Sequence, residues 1–484
     1  MRKWLACFRL APSDDAIVSR EEVRAFGWVT LLAAVWTLVL GLIYWPGLGL
    51  EDSAARLIHA MQMAGETKLP ANLFSHWFPQ GLTLLMSASL RLFDSVAPLF
   101  LLQAMWLAMN VGCLLVLLAG KRVALATLAV MMVYPPIFTH AAAHLADGWT
   151  TAALCGLAIC LVLWYRRARR MKAGADDTPL WVRCVILLQF LFGLVVVLTF
   201  RSNTVTVLPI VGVCMVWFVR PWPRAVAGVA ALLGLLFLST KINDEIPWER
   251  RDTVATSLVW EYVGMLKLSE DPELVERYNL DAICVKGKTI EDVIERHNWF
   301  AHDTIMWQTP ITLRERDVWK VENNLVREMY PKLVRERPDL YVRMKLEIWK
   351  SIFGFRGNTA LAFVHSRPPT WTEQFGVSFK PTGPLASVNE AIYKWCDRHD
   401  VALQRTTLPF IWFGLAFVGV ALAGKTRALT WPVVILLLMA MAYYAGFMLI
   451  TPAVSYRYFM PSHVLLVCVI VATARRTLVR YMHA

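Results

Sequence analysis

The chain is organised around apolar runs long enough to cross a lipid bilayer. A spanning helix needs about 20 mostly apolar residues, because no water is present there to satisfy backbone N–H and C=O groups. Runs of this kind lie at 27–45, 97–119, 123–139, 149–165, 184–200, 204–219, 225–240, 408–423, 431–450 and 459–473. Composition agrees with them. Of 484 residues, 57% are hydrophobic and 18% charged, with a mean hydropathy of +0.48; soluble proteins carry roughly 25% charged residues. So much apolar surface excludes a string of soluble domains. Disorder, collagen-like repeats and a disulfide-dense scaffold are excluded too. The expected fold is an all-α polytopic membrane protein with about ten transmembrane helices.

The net charge of +13 asks whether the basic residues hold an acidic partner or set topology. Cytosolic loops are enriched in Lys and Arg. The run 81–93 is short and bounded by Arg91 and Asp94. If it does not cross, Lys121/Arg122, the 166–172 cluster, Arg220/Arg224, Lys425/Arg427 and Arg475/Arg476/Arg480 all share the side of the basic N-terminal segment. If it does cross, the first two groups move outside. It is therefore expected to be a helix lying in the outer interface. Both termini then sit in the cytosol. The divisions are a cytosolic tail at 1–26, with no cleaved signal sequence, and an N-terminal transmembrane module at 27–240 with outer loops 50–96 and 140–147. An extracytoplasmic, mainly helical domain at 241–407 follows. C-terminal transmembrane helices at 408–474 and a second cytosolic tail at 475–484 complete the chain.

Within the outer domain, 312–353 has near-continuous helical periodicity, with Leu340, Met344 and Ile348 alternating with Tyr341, Lys345 and Trp349. Residues 368–383 read as an irregular loop. Cys284 and Cys396 alone face outward among nine cysteines on this topology, and an oxidising compartment would allow them to pair.

The informative charges are those that break the positive-inside pattern. Glu51 and Asp52 follow the first span, where a carboxylate can act as a general base or, with Ser53, cap the next helix. His76 stands beside Trp77 and Phe78, an aromatic belt with a ligand-competent imidazole in it. His140, His144 and Asp147 have the spacing H-x3-H-x2-D, which is incomplete for zinc, so no metal is expected. Asp147 opens a span, where an acid is costly unless used or paired. Arg201, with Asn203, and Arg457, with Tyr458, lie at outer span ends. An arginine there either snorkels to headgroups or offers its fork to a phosphate. Walker A, G-x-G-x-x-G, C-x2-C and G-x-S-x-G motifs are all missing from the sequence. With the basic residues assigned to cytosolic loops, nucleic-acid binding has no support.

In layout and short motifs the chain resembles polytopic glycosyltransferases of the GT-C fold, the superfamily of aminoarabinose transferases, protein O-mannosyltransferases and oligosaccharyltransferases. The likeness is carried by the acidic pair Glu51-Asp52 after the first span, the proline segment 76–85, and Asp147 in a second outer loop. The family's lysine or histidine before that proline is matched loosely by His76. Uncharacterised bacterial members share Pro46-Gly47 followed by Asp52-Ser53, Arg201 with Asn203, and Arg457-Tyr458. The resemblance implies a GT-C bundle in the bacterial plasma (inner) membrane, with the active site on the periplasmic side. It implies a sugar donor carried on a polyprenyl phosphate or diphosphate, with no other cofactor, and an acceptor hydroxyl on a glycolipid, polysaccharide or protein. Asp52 would be the base. Glu51, His76, Asp147, Arg201, Asn203, Arg457 and Tyr458 would bind substrates, in contact with membrane lipid. The alternative is a multi-span lipid or solute transporter or flippase, which an internal repeat with charges at the midplane would favour; the sequence has no such repeat. An O-acyltransferase would need a histidine deep in a span.

Overall fold

The computed structural model describes residues 17–65, 79–172, 178–218, 226, 228–230, 233–234, 236–238, 241, 252–301, 303–306, 309–322, 324–356, 362–364, 375, 377–449 and 455–483. The principal helices are α1 (Arg20–Tyr44), α2 (Glu51–Ala64), α3 (Gly81–Phe93), α4 (Ala97–Ala119), α5 (Lys121–Val133), α6 (Pro135–Ala141), α7 (Ala146–Lys172) and α8 (Leu180–Phe200). They continue with α9 (Leu208–Phe218), α10 (Thr253–Ser269), α11 (Leu325–Glu336), α12 (Pro338–Ile352), α13 (Pro409–Lys425), α14 (Trp431–Leu449) and α15 (Tyr456–His483). Among the described residues there is no β-strand, only isolated bridges. The chain is an all-α, multi-pass membrane protein. Among the described residues seven helices are long and apolar enough to cross a bilayer: α1, α4, α7, α8, α13, α14 and α15; the count is eight if the bent pair α5–α6 is one span.

Two of the ten expected spans differ. The run 123–139 is broken: α5 and α6 meet at 76°. Tyr134 is followed by Pro135 and Pro136, which lack N–H groups and push the preceding residue out of helical geometry; Tyr134 is extended. The run 204–219 begins as a 3-10 turn, Ser202–Val207, and leaves α9 only 11 residues. That is about 16 Å of helix against about 30 Å of hydrocarbon. The run 225–240 lies partly outside the described residues. The run 81–93 does form a helix, α3, as expected.

Small residues let the spans approach closely where lipid supplies no hydrophobic driving force. The central span α7 carries Ala152, Ala153, Gly156 and Ala158 on buried positions. Gly193 of α8 sits against Leu157, and Gly112 of α4 against Val29 and Leu128. Gln189 Nε2 donates to Asn110 Oδ1 at 3.0 Å, a polar tie between α8 and α4. At one end of the bundle Arg166 Nη1 reaches Glu22 at 2.9 Å, and Nη2 donates to the Leu117 carbonyl at 3.0 Å. Glu22 itself closes a capping box with Ser19 at the start of α1. Arg166 therefore joins three helix ends, a structural role beyond the topological one its sequence position implied.

In the helical region between α9 and α13 the stretch 312–353 is divided into Glu315–Val318, α11 and α12. Asn324 caps α11 by accepting from Val326 and Arg327, and Pro338 opens α12. Glu261 of α10 pairs with Lys345 of α12, both buried, and accepts from Tyr330 at 2.6 Å. The domain rests on the bundle: Trp349 Nε1 donates to the Met448 carbonyl at 2.9 Å, and Thr382 N to the Trp45 carbonyl at 2.7 Å. Cys284 and Cys396 are both buried and unbonded, in separate apolar clusters. Part of the 368–383 loop lies outside the described residues, and 377–383 has no regular structure.

Candidate functional site

The two loops that follow α1 and α6 are locked together first. Leu48 N donates to the Ala142 carbonyl and His144 N to the Leu48 carbonyl, both at 2.9 Å. His144 Nε2 donates to the Pro46 carbonyl at 2.9 Å. Burial pushes the His144 imidazole down to about 4, so the ring is neutral. Gly47 makes this approach possible: its φ is +112°, and a Cβ there would lie 2.5 Å from His144 Nε2. Gln103 Nε2 donates to the carbonyls of Ala141 at 3.0 Å and Ala143 at 2.9 Å, holding the second loop from below.

Ser53 completes the lock. Its hydroxyl accepts from Leu50 N at 3.3 Å and donates to the His144 carbonyl at 2.9 Å. Of the two capping candidates, Asp52 and Ser53, it is Ser53 that bonds the helix N-terminus. Asp52 is the second residue of α2, whose N-terminus Ser53 closes, and its carboxylate turns elsewhere.

It turns to Arg457. Arg457 Nη1 lies 2.5 Å from Asp52 Oδ2, and Nη2 donates to the Tyr458 hydroxyl at 2.8 Å. Arg201, at the end of α8, has Nη2 at 2.5 Å from Asp147 Oδ1. Both guanidinium carbons lie 4.8 Å from the centre of the Tyr458 ring, within cation–π range. Tyr458 in turn stacks on Phe447 at 4.9 Å. Four charges from four separate segments thus meet around one aromatic ring. Their side-chain exposures are unequal: Asp147 1%, Arg457 14%, Arg201 17% and Asp52 31%. The Nε–H donors of Arg201 and Arg457 are buried without a hydrogen-bond acceptor among the described residues.

Burial alone would raise the Asp52 carboxyl. The guanidinium groups of Arg457, Arg201 and Arg56 outweigh it and hold the carboxyl below its usual range. Arg56 is a member of the site that sequence reading missed. It is 5% exposed and donates to the Pro79 carbonyl at 3.0 Å, tying α2 to the approach of α3. Burial pushes its guanidinium down to about 9. The available signal was spacing: Arg56 is four residues after Asp52 on one helix face. Tyr443 of α14 was missed as well. Its hydroxyl is buried without a partner among the described residues.

Of the other expected site residues, Glu51 is exposed at the first position of α2. Asn203 lies in the 3-10 turn, where its carbonyl accepts from Thr206 Oγ1 at 2.8 Å. His76 lies outside the described residues. The H-x3-H-x2-D residues do not converge: His144 binds Pro46, His140 packs edge-on against Tyr456 at 5.2 Å, and Asp147 pairs with Arg201. Among the described residues no group of three or more His, Cys, Asp or Glu is gathered as a metal ion requires.

Fold and site define a class: a multi-pass helical membrane protein with a paired-charge cluster at one end of its bundle. Comparison with protein-family models, with curated proteins and with solved structures gives no match.

Proposed function

We propose that the chain is an inverting glycosyltransferase that moves a sugar from a polyprenyl phosphate or diphosphate to an acceptor hydroxyl at the extracytoplasmic face of a bacterial plasma membrane. The observation that carries this reading is the pair of ion contacts, Asp52–Arg457 and Asp147–Arg201, around Tyr458, with two buried Nε–H donors left open. Open guanidinium donors beside a carboxylate suit a reaction that removes a proton on one side and gains negative charge on the other.

Asp52 is the base because it is the exposed carboxylate of the two; Asp147 is sealed and serves to hold Arg201. The acceptor oxygen attacks the anomeric carbon while its proton passes to Asp52. The bond from that carbon to the phosphate oxygen breaks, and the electron pair leaves with the lipid phosphate. Arg201 and Arg457 receive the developing charge where water is scarce. A carboxylate of low basicity serves here through proximity, since the hydroxyl becomes acidic only as attack proceeds. The lipid-linked sugar is the co-substrate, and a glycolipid, polysaccharide or protein supplies the acceptor.

The architecture we assign is a GT-C bundle with both termini cytosolic. Even parity is required, and it is met by eight crossings, with the bent pair α5–α6 counted as one, or by the ten expected from the sequence. Glu51, His76, Asn203 and Tyr458 complete the substrate-binding set. The test is polyprenyl-phosphate release from a panel of labelled polyprenyl-phosphate sugars in proteoliposomes. Asp52→Asn is expected to lose about 100-fold or more; wild-type turnover in that variant, at normal folding, overturns the assignment of the base.

A further inference from the structure

A cavity lies at the opposite end of the bundle from the Asp–Arg cluster. It has a volume of about 1040 Å³ and is bounded by α7, α9 and α14, at the top of the range for small-molecule sites. Its walls are apolar, with Val213 of α9 and Leu438 of α14 among them, both well exposed. Its rim is not. Arg169 and Lys172, in the last turn of α7, line it, together with Trp217 and Trp431, whose rings lie 6.1 Å apart. Trp217 is 65% exposed and Trp431 56%.

Helix α7 fixes the depth of this cavity relative to the first site. It runs 27 residues, from Ala146 to Lys172, with Asp147 in its first turn. The rise from Asp147 to Arg169 is about 33 Å, close to the hydrocarbon thickness of a bilayer. An acid paired at one membrane surface and a cationic rim at the other therefore belong to one continuous helix. A donor whose phosphate sits at Arg201 and Arg457 cannot also place it at Arg169.

We propose that this cavity binds an anionic glycerophospholipid of the leaflet opposite the Asp–Arg cluster. The acyl chains fill the groove between α9 and α14. The phosphodiester lies against Arg169 and Lys172, and the two tryptophans sit at headgroup depth, where indole rings are favoured. The rim selects charge, because each cation near the membrane surface contributes about fivefold toward an anionic lipid.

The experiment uses the full chain in nanodiscs of equal phosphatidylglycerol and phosphatidylcholine, followed by native mass spectrometry. Wild-type protein should retain phosphatidylglycerol over phosphatidylcholine by about thirtyfold, the product of two cations. Arg169→Gln with Lys172→Gln should bring the ratio close to one. Val213→Trp, which fills the groove and keeps both cations, should lower retention of either lipid. A thermal-unfolding midpoint close to wild type confirms that each variant is folded. Equal retention of the two lipids by wild type, or an unchanged ratio in the double glutamine variant, overturns the proposal. Neither result bears on Asp52, so this inference and the transferase reading fail separately.

Discussion

Arg457 Nη1 lies 2.5 Å from Asp52 Oδ2, although 405 residues separate them in sequence. The contact joins the start of α2 to the start of the last span, α15. It also sets the proton affinity of Asp52, since Arg457 is the largest of the charges that lower its carboxyl. Removing the guanidinium in Arg457→Gln raises that carboxyl toward its ordinary value. A base must be ionised, so the acid limb of kcat/KM moves to higher pH. Arg457→Lys keeps the charge and loses the fork; its acid limb stays near that of wild type while turnover falls at least about tenfold. The pH profiles of the three proteins check this, and an acid limb that does not move in Arg457→Gln removes Asp52 from the titrating step.

Asp147 and Asp52 are expected to fail in different ways. Asp147 is 1% exposed and faces Arg201. Asp147→Asn leaves a buried guanidinium uncompensated, a change that costs about 3–5 kcal/mol. Thermal unfolding should show the loss directly. Asp52 is 31% exposed, so Asp52→Asn should unfold within a few degrees of wild type and still lack transfer. If both variants unfolded alike, burial would not separate the two roles.

The spans and the four informative charges were legible for the same reason. Apolar length marks a crossing, and a charge at the wrong membrane face stands out once the crossings are counted. The shared end of Asp52, Asp147, Arg201 and Arg457 follows from that parity. What was not legible depends on contacts between distant segments. The Leu48–Ala143 bridge that aligns the two loops has no local signature. Arg56 reads as an ordinary polar position on an amphipathic helix until Pro79 and Asp52 are placed beside it. The break between α5 and α6 was legible in Tyr134-Pro135-Pro136, but the apolar run passes through it, and hydropathy does not register a missing N–H. In 312–353 periodicity survives across Pro338 because the two helices present their apolar faces to the same helix, α10.

Gly47 is the residue on which the loop lock depends most sharply. Gly47→Ala would strain a backbone at φ +112° and put a methyl group 2.5 Å from His144 Nε2 and 3.0 Å from Phe100 Cδ1. His144 would leave the Pro46 carbonyl, and the alignment of Asp52 with Asp147 would loosen. Gly65 is the control, with φ +88° and open space around it. Gly65→Ala meets only the backbone cost, about 1–3 kcal/mol. Gly47→Ala should lower the unfolding midpoint further and reduce transfer with it. Similar midpoints for the two variants would mean that the His144 contact does not stabilise the loops.

The helical domain built on α10, α11 and α12 should lose stability on acidification through His297. That side chain is 2% exposed, with ring centres 6.0 Å from Trp260 and 4.7 Å from Trp299. Its Nε2 donates to the Trp260 carbonyl at 3.1 Å. Burial first, and the Lys267 charge second, push the imidazole down to about 3. An unfolded histidine takes up its proton near pH 6.5. Between these two values only the unfolded chain binds that proton, so folding weakens as pH falls, at about 1.4 kcal/mol per pH unit. Above the unfolded value the effect vanishes. Other buried histidines add slopes of their own, which makes the comparison with His297→Gln the informative one. Unfolding of both proteins in urea at pH 7 and pH 5 should show a shallower pH dependence in the variant, by the equivalent of one proton. Equal slopes would mean that the folded domain protonates His297 as readily as the unfolded chain does, and that the two tryptophans do not exclude water from it.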